Sequence, residues 1–99
     1  MIARALLLAS TLLAAGCGGL VALDVDSTPQ GAKVFVDDEL IGTTPTGVVL
    51  LRPSEERLAV TLELLNHKPV AIYLPVRTFE DEEAARKKPY RLDLVLKPR

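Results

Sequence analysis

From residue 20 onward the chain is written in twos. Val21, Leu23 and Val25 fall on one side and Ala22, Asp24 and Asp26 on the other. Val34 and Val36 alternate with Lys33, Phe35 and Asp37; Leu58, Val60, Leu62 and Leu64 alternate with Arg57, Ala59, Thr61 and Glu63; Tyr90, Leu92, Leu94 and Leu96 alternate with Arg91, Asp93, Val95 and Lys97. A period of two with one apolar face predicts antiparallel strands that cover a core and meet water on the other side. Gly47 to Leu51 reads as one more short strand. Val70 to Val76 is apolar on both faces, which predicts a central strand or one covered twice.

Turn chemistry falls between these runs. Ser27-Thr28-Pro29-Gln30-Gly31, Thr43-Thr44-Pro45-Thr46-Gly47, Pro53-Ser54-Glu55-Glu56 and Asn66-His67-Lys68-Pro69 are loops, and Asp37-Asp38 is a tight hairpin turn. Short strands at this spacing predict an all-β fold, a small antiparallel β-sandwich of about six to seven strands. One segment departs from the pattern. Residues 78–89 read as a short helix-like insertion near the C-terminus: Thr78 as cap, acids first, bases last, Glu82/Arg86 and Glu83/Lys87 four apart, and Pro89 as the stop.

The first sixteen residues follow another logic. Arg4 gives a positive start, and Ala5 to Ala15 is small and apolar except for Ser10 and Thr11. That run is about half the length of a membrane-spanning helix. It predicts an export signal. Ala14-Ala15-Gly16 then leads to Cys17, the only cysteine. The segment resembles a bacterial lipoprotein signal, in which a lipobox, here Ala14, Ala15 and Gly16, precedes the cysteine that receives lipid. Ordinary cleavage after Gly16 also fits a small-x-small site, but it leaves an unpaired thiol in an oxidising compartment. The expected division is residues 1–16 as signal, 17–19 as lipidated cysteine and short tether, and 20–99 as one β domain.

Composition narrows the partners. Twelve Lys and Arg against thirteen Asp and Glu give a net charge of −1, so there is no basic excess to follow phosphates, and nucleic acid is not an expected partner. Without tryptophan, and with only Phe35, Tyr73, Phe79 and Tyr90, the chain lacks an aromatic platform for bases or sugars. No second cysteine or Cys/His cluster supplies a disulfide or a structural zinc.

The mature chain resembles a PEGA domain, a small β-rich module of bacterial and archaeal envelope proteins. The resemblance rests on Pro29-Gln30-Gly31-Ala32, then Val34-Phe35-Val36-Asp37, then Ile41-Gly42-Thr43-Thr44-Pro45, in that order and spacing. Gln30 stands where the family has glutamate, and Asp38 where it usually has glycine. The residues themselves read as structural. Pro29 and Gly31 shape one reversal, Ala32 allows close packing, and Gly42, Thr44 and Pro45 shape the next.

Candidate chemistry is sparse. His67 is the only histidine and sits in a polar loop. Asp37-Asp38-Glu39, or Asp24 with Asp26, could attract calcium, but the spacing does not match an EF-hand loop. No glycine-rich phosphate loop or nucleophile elbow is present. The expectation is therefore a non-enzymatic envelope lipoprotein without metal or cofactor. Its partners would be the bilayer, through acylated Cys17, and another envelope protein or a cell-wall component. By the resemblance to bacterial lipoproteins, Gly18 after the cysteine, in place of the aspartate that in enteric bacteria retains lipoproteins at the inner membrane, implies the outer membrane over the inner. The alternatives are an accessory domain of an envelope hydrolase or transferase system, or a cell-wall glycan-binding module.

Overall fold

The computed structural model describes residues 19–99. Its elements in chain order are β1 (Val21–Thr28), β2 (Lys33–Val36), β3 (Glu39–Thr43), β4 (Val48–Leu51), β5 (Arg57–Glu63), β6 (Val70–Pro75), α1 (Glu82–Lys87) and β7 (Tyr90–Val95). Seven strands form two sheets, ordered β4-β1-β7 and β3-β2-β5-β6. The small sandwich expected from the alternation is what forms.

The inward positions of the two sheets make the core. Val21, Leu23 and Val25 from β1 meet Val34 and Val36 from β2 and Leu58, Val60 and Leu62 from β5, and Val76 and Leu96 join the same cluster. Removing each such side chain from water contributes about 1.5–3 kcal/mol. With no cross-link in the described residues, that burial carries the fold.

Four of the five strand pairs are antiparallel, and one is not. β7 runs parallel to β1, from Leu23 opposite Tyr90 to Thr28 opposite Val95. Alternation alone cannot reveal this, because the period is two in either sense. A parallel neighbour needs a crossover, and β1 and β7 are separated by every other element of the chain.

Three further expectations are corrected. Val70 to Val76 does not lie at a sheet centre: β6 is an edge strand, and Ala71, Tyr73 and Pro75 are exposed. Tyr73, 69% exposed, carries Arg57 over its ring at 5.2 Å, so its aromatic face is partnered by a cation instead of by core. The helix is shorter than residues 78–89, and its cap is Asp81, not Thr78. Asp81 Oδ1 accepts from the Ala84 amide at 2.7 Å. Thr78 lies outside the helix because Phe79 is used in a strand-like bridge to Leu20. Finally, Ala22 does not face water. α1 packs on β1 and β4, and Ala22 and Ala85 are both fully buried. Two alanines allow the close approach that bulkier side chains would prevent.

The Asp37-Asp38 hairpin forms as expected. Val36 pairs with Glu39, and both aspartates have positive φ, 50° and 68°. That is the signature of a two-residue turn matched to strand twist.

Candidate functional site

The Pro-Gln-Gly-Ala and Thr-Pro segments meet in space, and Thr44 joins them. Its hydroxyl accepts from the Gly31 and Ala32 amides, each at 3.0 Å. The backbone repeats the tie: the Gly31 amide donates to the Thr44 carbonyl at 2.9 Å and the Thr44 amide to the Ala32 carbonyl at 2.8 Å. Ser27 Oγ lies 2.7 Å from Thr44 Oγ1 and 2.7 Å from the Pro29 carbonyl. A carbonyl can only accept, so Ser27 donates to Pro29 and Thr44 donates to Ser27. Every proton of both hydroxyls is thereby assigned. With Ser27 2% and Thr44 4% exposed, this is a closed structural network, and neither hydroxyl is left as a nucleophile.

Each motif residue has its place in this junction. Gly31 takes φ 94° with nothing within 4 Å of a hypothetical Cβ, so conformation and not crowding requires glycine there. Ala32 is fully buried. Gln30 reaches Asp26, donating from Nε2 at 3.2 Å to Oδ1. A glutamate at this position would set two carboxylates against each other, which accounts for glutamine here. Gly42 lies in β3 opposite Val34, beside the register shift that leaves Ile41 as the extra residue. Pro45 follows Thr44 on the surface. Thr46, which the sequence pattern did not single out, does for β1 what Thr44 does for the turn. Its amide donates to the Val25 carbonyl at 2.9 Å, and its hydroxyl accepts from the Val25 amide at 3.0 Å.

The other candidates do not converge. His67 closes a turn, its Nδ1 2.9 Å from the Leu65 carbonyl, and its own carbonyl accepts from Arg99 Nε at 3.1 Å. Glu63, Lys33 and Arg99 line the same open depression, but no hydrogen bond or ion pair joins the side chains of Glu63 and His67. Asp24 pairs with Arg91 at 3.7 Å, and Asp26 accepts from the Ser27 amide at 2.8 Å. Asp37 Oδ1 accepts from the Ala59 amide at 3.0 Å, which ties the hairpin to β5. Among the described residues no three metal-ligating side chains come together.

Two surfaces remain. One is the set of strand edges: β3 and β6 in one sheet, β4 and β7 in the other. α1 lies against β1 and β4. The second is the point where the chain enters the domain. Gly19 packs so tightly on residues 78–79 that a Cβ there would overlap the Thr78 side chain and sit 3.3 Å from the Phe79 carbonyl oxygen. Leu20 and Phe79 then exchange both backbone bonds at 2.7 Å. Gly19, two positions after Cys17 in sequence, is thus already packed. Ala14, Ala15, Gly16 and Cys17 themselves lie outside the described residues.

Comparison with curated proteins and with solved structures finds no match to the chain. A family model, the PEGA domain, matches residues 20–74, from the start of β1 through all but the last residue of β6, and includes the whole Ser27–Thr44 junction. β7 lies beyond the matched segment yet pairs along β1 within the same sheet. With more than half of its length matched, the chain belongs to the PEGA domain family.

Proposed function

We propose that this chain is a lipid-anchored cell-envelope protein whose PEGA domain acts without catalysis, as a binding or bracing module held close to the membrane. The observation that carries the reading is the short distance from Cys17 to the packed domain. Gly19 is already seated against Thr78 and Phe79, so at about 3.5 Å per extended residue an acylated Cys17 can stand at most roughly 7 Å from the sandwich. A domain held that tightly does not search the periplasm. It presents its loops and edges at a fixed height. Anchoring at Cys17 by two or three acyl chains supplies the near-permanent residence that one chain lacks, and Gly18 after the cysteine favours the outer membrane.

The partner class is another envelope protein or the cell wall, reached by a loop contact or by adding a strand at an exposed edge. Fractionation tests the anchor: Cys17→Ser moves the protein from the membrane to the soluble fraction. A spacer of Gly and Ser placed between Gly18 and Gly19 tests the fixed height. It impairs function if height matters and leaves function intact if the module only binds freely diffusing ligands. Retention of labelled cell-wall glycan by the purified protein would shift the partner from protein to wall.

A further inference from the structure

We propose that the free edge of β7 pairs with the same edge of a second copy of this chain, antiparallel, with Leu92 on the twofold axis. This goes beyond the anchoring proposal and does not depend on it. Along Tyr90–Val95, β7 has β1 on one side and, among the described residues, no strand on the other; just past it the Lys68 amide donates to the Lys97 carbonyl at 2.8 Å, which ends the free edge. The Leu96 amide donates to the Thr28 carbonyl at 2.8 Å. Alternation along the strand therefore turns the backbone groups of Tyr90, Leu92 and Leu94 toward β1 and those of Arg91, Asp93 and Val95 outward.

The charges select both the partner and the register. With Leu92 on the axis, Arg91 falls opposite Asp93 of the second copy, and the reverse pair forms on the other side of the axis. These are also the residues whose backbone groups point outward, so each pair exchanges two backbone hydrogen bonds while its side chains meet on the solvent face. Val95, 71% exposed, falls opposite Pro89, whose carbonyl accepts its amide. On the inner face Tyr90 falls opposite Leu94, and both are only partly buried in the single chain.

Other registers are worse. Centring on Asp93 or Arg91 sets like charges face to face. Centring on Leu94 puts Arg91 opposite Lys97. A one-residue slip would set the apolar face of one copy against the polar face of the other. Within the single chain Asp93 stands opposite Asp26 in the register with β1, while Arg91 pairs with Asp24. The second copy supplies the cation that Asp93 lacks.

None of the other edges is self-complementary. β6 carries no charge and ends in Pro75; β4 carries no charge; β3 carries only Glu39. The product is one continuous six-stranded sheet, β4-β1-β7 followed by its symmetry mate.

Cysteine scanning in cells that make the full chain tests this. In an antiparallel pair, residues on the axis at a non-hydrogen-bonded position have Cα atoms about 4.5 Å apart, within disulfide range. Leu92→Cys should give a disulfide-linked dimer on a non-reducing gel, well above the background from Cys17 in the unsubstituted chain. Leu94→Cys, off the axis, should not. Adding Asp93→Lys should cut the Leu92→Cys dimer about tenfold, and adding Arg91→Glu as well should restore it. No dimer from Leu92→Cys, or an equal yield from Leu94→Cys, overturns the proposal. Should Leu92→Cys not accumulate, light scattering of the full chain in detergent decides: a dimer that Asp93→Lys makes monomeric and Arg91→Glu/Asp93→Lys recovers supports the pairing, and a monomer without substitution refutes it.

Discussion

Thr44 Oγ1 lies 2.7 Å from Ser27 Oγ, joining two turns that are 17 positions apart in sequence. The side chain of Thr44 satisfies two buried amides and hands its own proton to Ser27, which hands its proton to the Pro29 carbonyl. The Thr-Pro and Pro-x-Gly-Ala segments are thus two halves of one junction, and their joint presence in the sequence has a physical cause.

Replacing Thr44 by valine keeps the shape and removes the hydroxyl. The Gly31 amide retains the Thr44 carbonyl, but the Ala32 amide is left unpaired in a buried site. The expected loss is about 1–3 kcal/mol, which for a domain of this size lowers the melting temperature by about 4–8 °C per kcal/mol. Thr44→Ser, which keeps the oxygen, should lose less than half of that. Equal losses for the two variants in thermal denaturation would mean that packing of the methyl group, and not the hydroxyl, holds the junction.

The hairpin turn offers a gain. Asp38 has φ 68° and a side chain that makes no hydrogen bond among the described residues. Asp38→Gly removes a strained conformation and should stabilise the domain by up to about 1 kcal/mol. Asp37→Gly relieves similar strain but orphans the Ala59 amide, which Asp37 Oδ1 satisfies at 3.0 Å. Its net effect should be destabilising. Chemical denaturation of the two variants should move the midpoint in opposite directions.

Gln30→Glu tests the contact with Asp26. The new carboxylate loses the donated hydrogen bond and faces a like charge at the surface. The cost should be a few tenths of a kcal/mol to about 1 kcal/mol at neutral pH and should shrink at high salt, as exposed charge pairs are screened. A cost that does not change with salt would locate the effect in backbone geometry.

Much of the fold was legible because the alternation is strong. Four strands and the core they cover follow from apolar positions at period two, β4 and β6 from short apolar runs, and the Asp37-Asp38 turn from its residue types; β3, Glu39–Thr43, carries no such signal. The rest was hidden for identifiable reasons. The parallel sense of β7 leaves no trace in a period of two. β6 looks central because Val70-Ala71-Ile72-Tyr73-Leu74 is apolar throughout, yet its outward tyrosine stays exposed with Arg57 over its ring, a pairing visible only in space. Ala22 looked solvent-facing because alternation does not register a helix laid over the outer face. At the junction the glycines, prolines and Thr44 were readable as turn formers. Ser27, Asp26 and Thr46 were not, since a serine or aspartate in a strand carries no sign that its partner is many residues away.

The entry of the chain gives a stability test linked to the proposed anchor. Gly19→Ala places a Cβ 2.5 Å from Thr78 Cβ, and backbone held by the Leu20–Phe79 bridge cannot easily yield. A loss of about 1–3 kcal/mol is expected. Thr78→Gly in the same chain should recover part of it, giving a coupling energy of the opposite sign. Additive losses would show that residue 19 does not sit against Thr78.

The central proposal, a sandwich held at the membrane through a cysteine two positions before Gly19, meets its most direct test in the mass of the mature N-terminal peptide. Purified from the membranes of cells making the full chain and digested, the protein should yield a peptide that begins at Cys17 and carries the added mass of a diacylglycerol, with or without a third acyl chain. A peptide that begins at Cys17 with a free thiol, or one that still contains residues 1–16, would contradict the account.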